Sequence, residues 1–67
     1  MTTADMNRQE RGYRDGTKAA KKEFSTSGLY DLRDYANAQL FDRHLDVYYW
    51  TGYRNAIFEA LADDLYA

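Results

Sequence analysis

Cysteine and proline are both missing from this 67-residue chain, and histidine occurs once. Without cysteine there is no disulfide framework and no thiol nucleophile, and a lone His44 offers no second imidazole for triad chemistry. The four glycines are scattered rather than clustered after a strand, which excludes a Gly-rich phosphate loop. No stretch approaches the roughly 20 apolar residues of a membrane span, and the N-terminus lacks a long apolar run. A soluble cytoplasmic protein, free of membrane, metal and cofactor, is the expectation. What remains is 30% charged and 45% hydrophobic residues, with seven tyrosines, the composition of a globular chain rather than a disordered one. The whole chain, residues 1–67, reads as a single helical domain. At this size, without disulfides, it needs dense helix packing or a second copy of itself.

The formal charge of −2 is unevenly spread. Residues 1–28 carry six Lys/Arg against four acids, while residues 29–67 carry three arginines against seven acids. A protein whose whole role is to coat phosphate backbones is strongly basic, so this balance counts against that role while leaving room for a local basic contact. The acidic second half is too weakly biased to imitate nucleic acid.

The tetrapeptide Gly12-Tyr13-Arg14-Asp15 returns forty residues later as Gly52-Tyr53-Arg54-Asn55. Each copy begins a ladder of small residues spaced by four: Gly12, Gly16, Ala20 and Gly52, Ala56, Ala60. Residues four apart share a helix face, and a small-residue face admits a close neighbouring backbone. Two glycines inside the first helix cost roughly 1 kcal/mol each relative to alanine, which points to a packing partner.

Three helices are predicted. In the first, Met6, Gln9, Gly12, Tyr13, Gly16, Thr17, Ala20 and Phe24 fall on one arc. Arg8, Arg11, Arg14, Lys18, Lys21 and Lys22 fall on the opposite arc, interrupted by Asp15. Asp5 or Thr3 can cap its start, and Ser25-Thr26-Ser27-Gly28 can end it and begin the next element. The second helix runs from about Gly28 to Leu45, with one stripe of Leu29, Leu32, Ala36 and Leu40 and a looser one of Tyr30, Phe41 and Leu45. Two stripes mean two contacts or a break near Asn37. The third begins around Asp46; Val47, Trp50, Ile57, Phe58, Leu61 and Leu65 form its main apolar face, widened by Tyr53, Ala56 and Ala60. So wide a face must be covered on two sides.

The basic arc is the candidate phosphate or partner contact, since several cations on one face can neutralise backbone charges. Its competing reading is an ordinary solvated face. Trp50 and Tyr53 lie among apolar positions and read as core, whereas Tyr48 and Tyr66 project from the polar side as anchors for a protein partner. Arg54 falls in the apolar arc, where a guanidinium needs a carboxylate; Asp31, Asp34 or Asp42 could supply it. Asp42, His44 and Asp46 resemble a metal cluster on paper, but alternate residues on a helix point apart. Asp63 and Asp64 near the chain end read as solvated.

Two motifs, Arg11-Gly12-Tyr13-Arg14-Asp15-Gly16 and Trp50-Thr51-Gly52-Tyr53-Arg54-Asn55-Ala56, are similar to those of the ribosome modulation factor family, small bacterial and phage-encoded proteins. That family has an Arg-Gly-Tyr-x-x-Gly helix, a connecting segment and a Trp-x-x-Gly-Trp/Tyr-Arg-x-Ala helix. Founding members bind the small ribosomal subunit and promote ribosome pairing and translational silence under stress. The resemblance implies a non-enzymatic regulator with the ribosome and its RNA as partner, in a bacterium or an infected bacterial host.

The expected architecture is therefore all-α, a small three-helix domain. Its first and third helices are related by internal repetition and packed through Gly12, Tyr13, Gly16 and Ala20 against Trp50, Gly52, Tyr53, Arg54, Ala56 and Ala60. The small core and wide third-helix face favour a homodimer over a monomer. The alternative function is a phage-encoded inhibitor that binds a host or defence protein through its acidic, tyrosine-bearing surface.

Overall fold

Local sequence signals start each helix. The structure, a computed structural model, describes residues 2–23, 25–42 and 46–66, with side chains only as far as Asp63 in the last segment. The first helix, α1, spans Thr3–Lys22 and opens with a capping box. The Thr2 hydroxyl accepts from the Asp5 N–H at 3.2 Å, while the Asp5 carboxylate accepts from the Thr2 N–H at 3.2 Å. The cap is thus Thr2, one residue before the earlier of the two expected positions, because a residue at Thr2 places Asp5 at the third helical position, where it can reach back. Lys21 and Lys22 in the last turn meet the negative end of the helix dipole.

Ser25 caps α2, Thr26–Phe41, by accepting from the Gly28 N–H at 3.1 Å. This helix passes through Asn37 without a break, so its two stripes face two different environments. It ends at Phe41, four residues before the expected Leu45; Leu45, like Phe24 and His44, lies outside the described residues. α3 covers Val47–Tyr66, and Asp46 Oδ1 accepts from the Tyr48 and Tyr49 N–H groups at 3.1 and 3.2 Å.

The small-residue ladders decide how these helices assemble. A carbon added to Gly12 would lie 1.8 Å from the Tyr49 carbonyl oxygen, and one added to Gly52 would lie 2.0 Å from that of Gln9. The contact is reciprocal: each glycine sits against the carbonyl of the residue three places before the other. Such an approach lets glycine Cα–H groups face carbonyl oxygens across the crossing. Farther along, a carbon on Gly16 would meet the Tyr53 oxygen at 2.6 Å and the Ala56 methyl at 3.0 Å.

Position 8 faces 46, 12 faces 49, and 16 faces 53 and 56, so α1 and α3 run parallel. α2 returns antiparallel along the other side of α3 and barely touches α1. α3 is therefore the central element. At the end shared by the starts of α1 and α3, two positive dipole ends lie together; Asp5 and Asp46 offset them, and Arg8 reaches both carboxylates at 3.8 and 3.7 Å.

The core consists of Leu29, Ala36, Tyr53, Ala56, Ile57 and Leu61. Trp50 joins α2 to it through an edge contact with Tyr35, ring centroids 5.4 Å apart, and also packs on Tyr49 and Tyr53 at 4.9 and 5.2 Å. Two members of the expected apolar face of α3 do not join: Val47 and Phe58 are exposed. The buried face is rotated toward Tyr53, Ala56 and Ala60 because the glycine crossing draws α1 onto that side. Met6, expected on the packing arc of α1, is exposed as well.

Replacing Gly12 or Gly52 by alanine should lower stability by about 1–3 kcal/mol, because the new methyl meets backbone that cannot step aside and this outweighs the roughly 1 kcal/mol that alanine adds to helix propensity. Gly28→Ala is the control. There the added carbon meets only the Glu23 carboxylate, the movable end of a side chain, so stability should hold or rise. Urea unfolding followed by circular dichroism distinguishes the two cases, and equal effects at all three positions would contradict the crossing.

Candidate partner interface

Six cations leave α1 on its outer side, and the structure divides them. Arg14 donates to Glu10 at 3.0 Å, one turn earlier, and Arg8 is engaged with Asp5 and Asp46. Arg11, Lys18, Lys21 and Lys22 are exposed and have no ion-pair partner among the described residues. Arg11, Lys18 and Lys22 follow one another at spacings of seven and four, a single stripe along the helix. These four are the cations the fold leaves available.

Asp15 lies within that stripe, yet its carboxylate is turned away from it. It accepts a hydrogen bond from the Tyr49 hydroxyl at 2.5 Å across the α1–α3 contact. Burial pushes the Tyr49 phenol up to about 12, with the Asp15 bond adding to the rise and nearby Arg11 opposing it. Tyr53 is also raised, first by burial and then by the negative charge of neighbouring groups. The interruption of the basic arc is thus a tether between helices, a role that periodicity did not reveal. Asp15 and Tyr49 are 34 residues apart, and nothing local marks them as a pair.

On the other flank of the α1–α3 seam lies a groove of about 510 Å³, to which α2 contributes Leu29. Ala20, Leu29, Ala56 and Ala60 contribute apolar surface, while Tyr13, Thr17, Lys21, Glu59 and Asp63 supply polar groups. The Tyr13 hydroxyl donates to Glu59, and that bond is the first cause of the raised Tyr13 pKa. Tyr13, expected among the packing residues, is instead exposed and makes a polar contact at the groove, because the glycine crossing sends its side chain to the flank of the seam. Of the groove's polar members, the sequence singled out only Tyr13, Lys21 and, as a solvated acid, Asp63; Thr17 was assigned to packing.

Tyr48 is exposed, as a partner contact requires; the side chain of Tyr66 lies outside the described residues. Tyr53 and Ala56 are buried, and Trp50 and Ala60 pack partly buried against the core. Arg54 departs from its expected ion pair. The structure pairs Asp34 with Arg33 at 3.0 Å, and Arg54 instead donates to the Asn37 side-chain oxygen at 3.5 Å while its guanidinium lies 5.7 Å from the centre of the Phe58 ring. Its Nε is buried without a partner among the described residues. An aromatic face and a neutral amide hold this cation in place of a carboxylate.

No group of three or more His, Cys, Asp or Glu residues that could hold a metal ion occurs among the described residues, and none of their helices is long and apolar enough to cross a membrane. Comparison with family models, with curated proteins and with solved structures gives no match.

The raised Tyr49 pKa sets a pH dependence. Unfolded, Tyr49 ionises near its ordinary value of 10; folded, it holds its proton to about 12. Above pH 10 the unfolded chain thus binds fewer protons, so the stability contributed by Tyr49 is complete below pH 10 and is lost as pH rises to about 12. Tyr49→Phe should flatten the decline, measured as urea midpoints across this range. An unchanged slope would show that the phenol does not carry it.

Proposed function

We propose that this protein is a non-enzymatic regulatory binding protein that acts on the translation machinery, with the outer face of α1 laid against ribosomal RNA of the small subunit. The observation that carries this reading is the stripe of Arg11, Lys18 and Lys22, with Lys21 beside it: exposed cations without a carboxylate partner among the described residues, on a helix whose one interrupting acid is turned inward to Tyr49. Cations free of internal partners can exchange small counterions for phosphates. Both motifs similar to those of the ribosome modulation factor family support the same reading. Their Gly12, Gly16, Gly52 and Ala56 meet in the α1–α3 seam from which the basic face projects, so the resemblance concerns the scaffold and the charge supplies the contact.

A second reading has its own support. The α1–α3 groove joins an apolar floor to Glu59 and Asp63, and with exposed Tyr48 it offers an acidic, tyrosine-bearing surface for an inhibitor of a host protein. The two readings use different sides of the molecule and meet at Lys21, which flanks the basic stripe and also lines the groove.

Co-sedimentation with small ribosomal subunits at low salt checks the first. Four phosphate contacts correspond to a logarithmic salt slope of about −3 to −4, and charge reversal at Arg11, Lys18 and Lys22 together should release the protein. Failure to sediment with the subunits at low salt rejects the ribosomal reading. Retention of one dominant host protein after nuclease treatment, abolished by Glu59→Lys and unaffected by the triple reversal, supports the second.

A further inference from the structure

The faces of α2 and α3 that α1 does not cover carry two matched stripes. On α3, Val47, Arg54 and Phe58 recur at spacings of seven and four; on α2, Tyr30, Asn37 and Phe41 recur at the same spacings. The bond from Arg54 to Asn37 joins the middles of the stripes, and because the helices are antiparallel, Phe41 lies toward Val47 and Tyr30 toward Phe58. Each stripe is held by a cation on a ring: Arg54 near Phe58, and Arg33 4.7 Å from the centre of Tyr30.

This face is too apolar for a finished surface. Phe41 is 88% exposed, Val47 52%, Phe58 44% and Tyr30 36%, whereas Ile57 is the largest side chain completely enclosed in the core. Taking about 200 Å² for an aromatic side chain, these four expose roughly 400 Å² of mostly apolar area. The chain as a whole exposes 4904 Å², against about 4400 Å² for a folded monomer of its mass. A standard interface removes about 800 Å² per partner, somewhat over half of it apolar, or roughly 450 Å². The uncovered stripes supply most of that amount.

We propose that this face pairs with the same face of a second copy, around a two-fold axis beside Asn37 and Arg54. The occupant follows from the layout. An apolar end, Phe41 with Val47, and an aromatic end, Tyr30 with Phe58, lie on either side of a polar centre. A two-fold axis lying in the interface and crossing the helix direction sets each end of one protomer on the opposite end of the other, a self-complementary isologous contact. It also brings Arg33 of one copy toward Phe41 of the other, a cation–ring contact that strengthens on desolvation. α1 stays outside the contact, so the dimer presents two basic faces and does not depend on the ribosomal reading.

Sedimentation equilibrium from low micromolar to near-millimolar concentration tests the pairing. A mass of twice 7.9 kDa is expected, with Phe58→Asp and Phe41→Asp each weakening the dimer by about tenfold or more at unchanged helical circular dichroism. Since the chain has no cysteine, Asn37→Cys supplies an independent readout: under mild oxidation it should form a covalent dimer, whereas Asn7→Cys on α1 should not. A monomer throughout that range overturns the proposal. So does a dimer that ignores both aspartate variants, or one that cross-links through Asn7→Cys but not Asn37→Cys. If the chain is monomeric and Phe58→Asp instead abolishes capture of another macromolecule, the face belongs to that partner and the pairing is refuted.

Discussion

The fold rests on the place where two backbones touch. Gly12 against the Tyr49 carbonyl and Gly52 against that of Gln9 leave no room for even one methyl group. Once α1 and α3 approach this closely, their side chains must pass to the flanks of the seam. On one flank Tyr49 crosses to Asp15; on the other Tyr13 crosses to Glu59. The two tethers are thus consequences of the crossing as much as supports for it, since hydroxyl and carboxylate meet only because the axes are near. Glycine weakens each helix locally, and the resulting packing offsets that weakness through dispersion contacts that a wider spacing would forfeit.

A parallel α1–α3 pair imposes the rest of the arrangement. The chain must return between them, and α2 is the return, lying along the other side of α3. Because α2 barely touches α1, the molecule measures 35 × 22 × 17 Å, and α3 is covered on two sides with a third left open. The basic face of α1 and the apolar stripes of α2 and α3 are what that geometry leaves outward, and they are separate surfaces. A small protein with two such surfaces can hold one partner while pairing through the other.

Much of this was legible in the residues. Spacing by four identified the ladders, and the arcs of α1 separated its packing side from its cations. The limits appear at Arg54, Phe58 and Asp15. Arg54 looked like half of an ion pair because a buried guanidinium calls for an acceptor; the acceptor it finds is the Asn37 amide, and no one-dimensional rule chooses an amide one turn from the Asp34 carboxylate. Phe58 looked like core because a helical wheel scores hydrophobicity, whereas exposure depends on where neighbouring axes fall. Asp15 looked like a break in a charge stripe because its phenol partner is distant in sequence.

By itself the sequence determined the all-α class, the number of helices, the two glycine ladders and the charge side of α1, for these depend on local propensity and on period. Tertiary structure alone decided that α1 and α3 run parallel, that Asp15 faces Tyr49, that Arg54 rests on Asn37 and Phe58, and that Val47 and Phe58 stay outside. Those outcomes follow from the direction and depth of one crossing between helices. The residues that make it are separated by some forty positions, and periodicity along a single helix carries no information about the orientation of another.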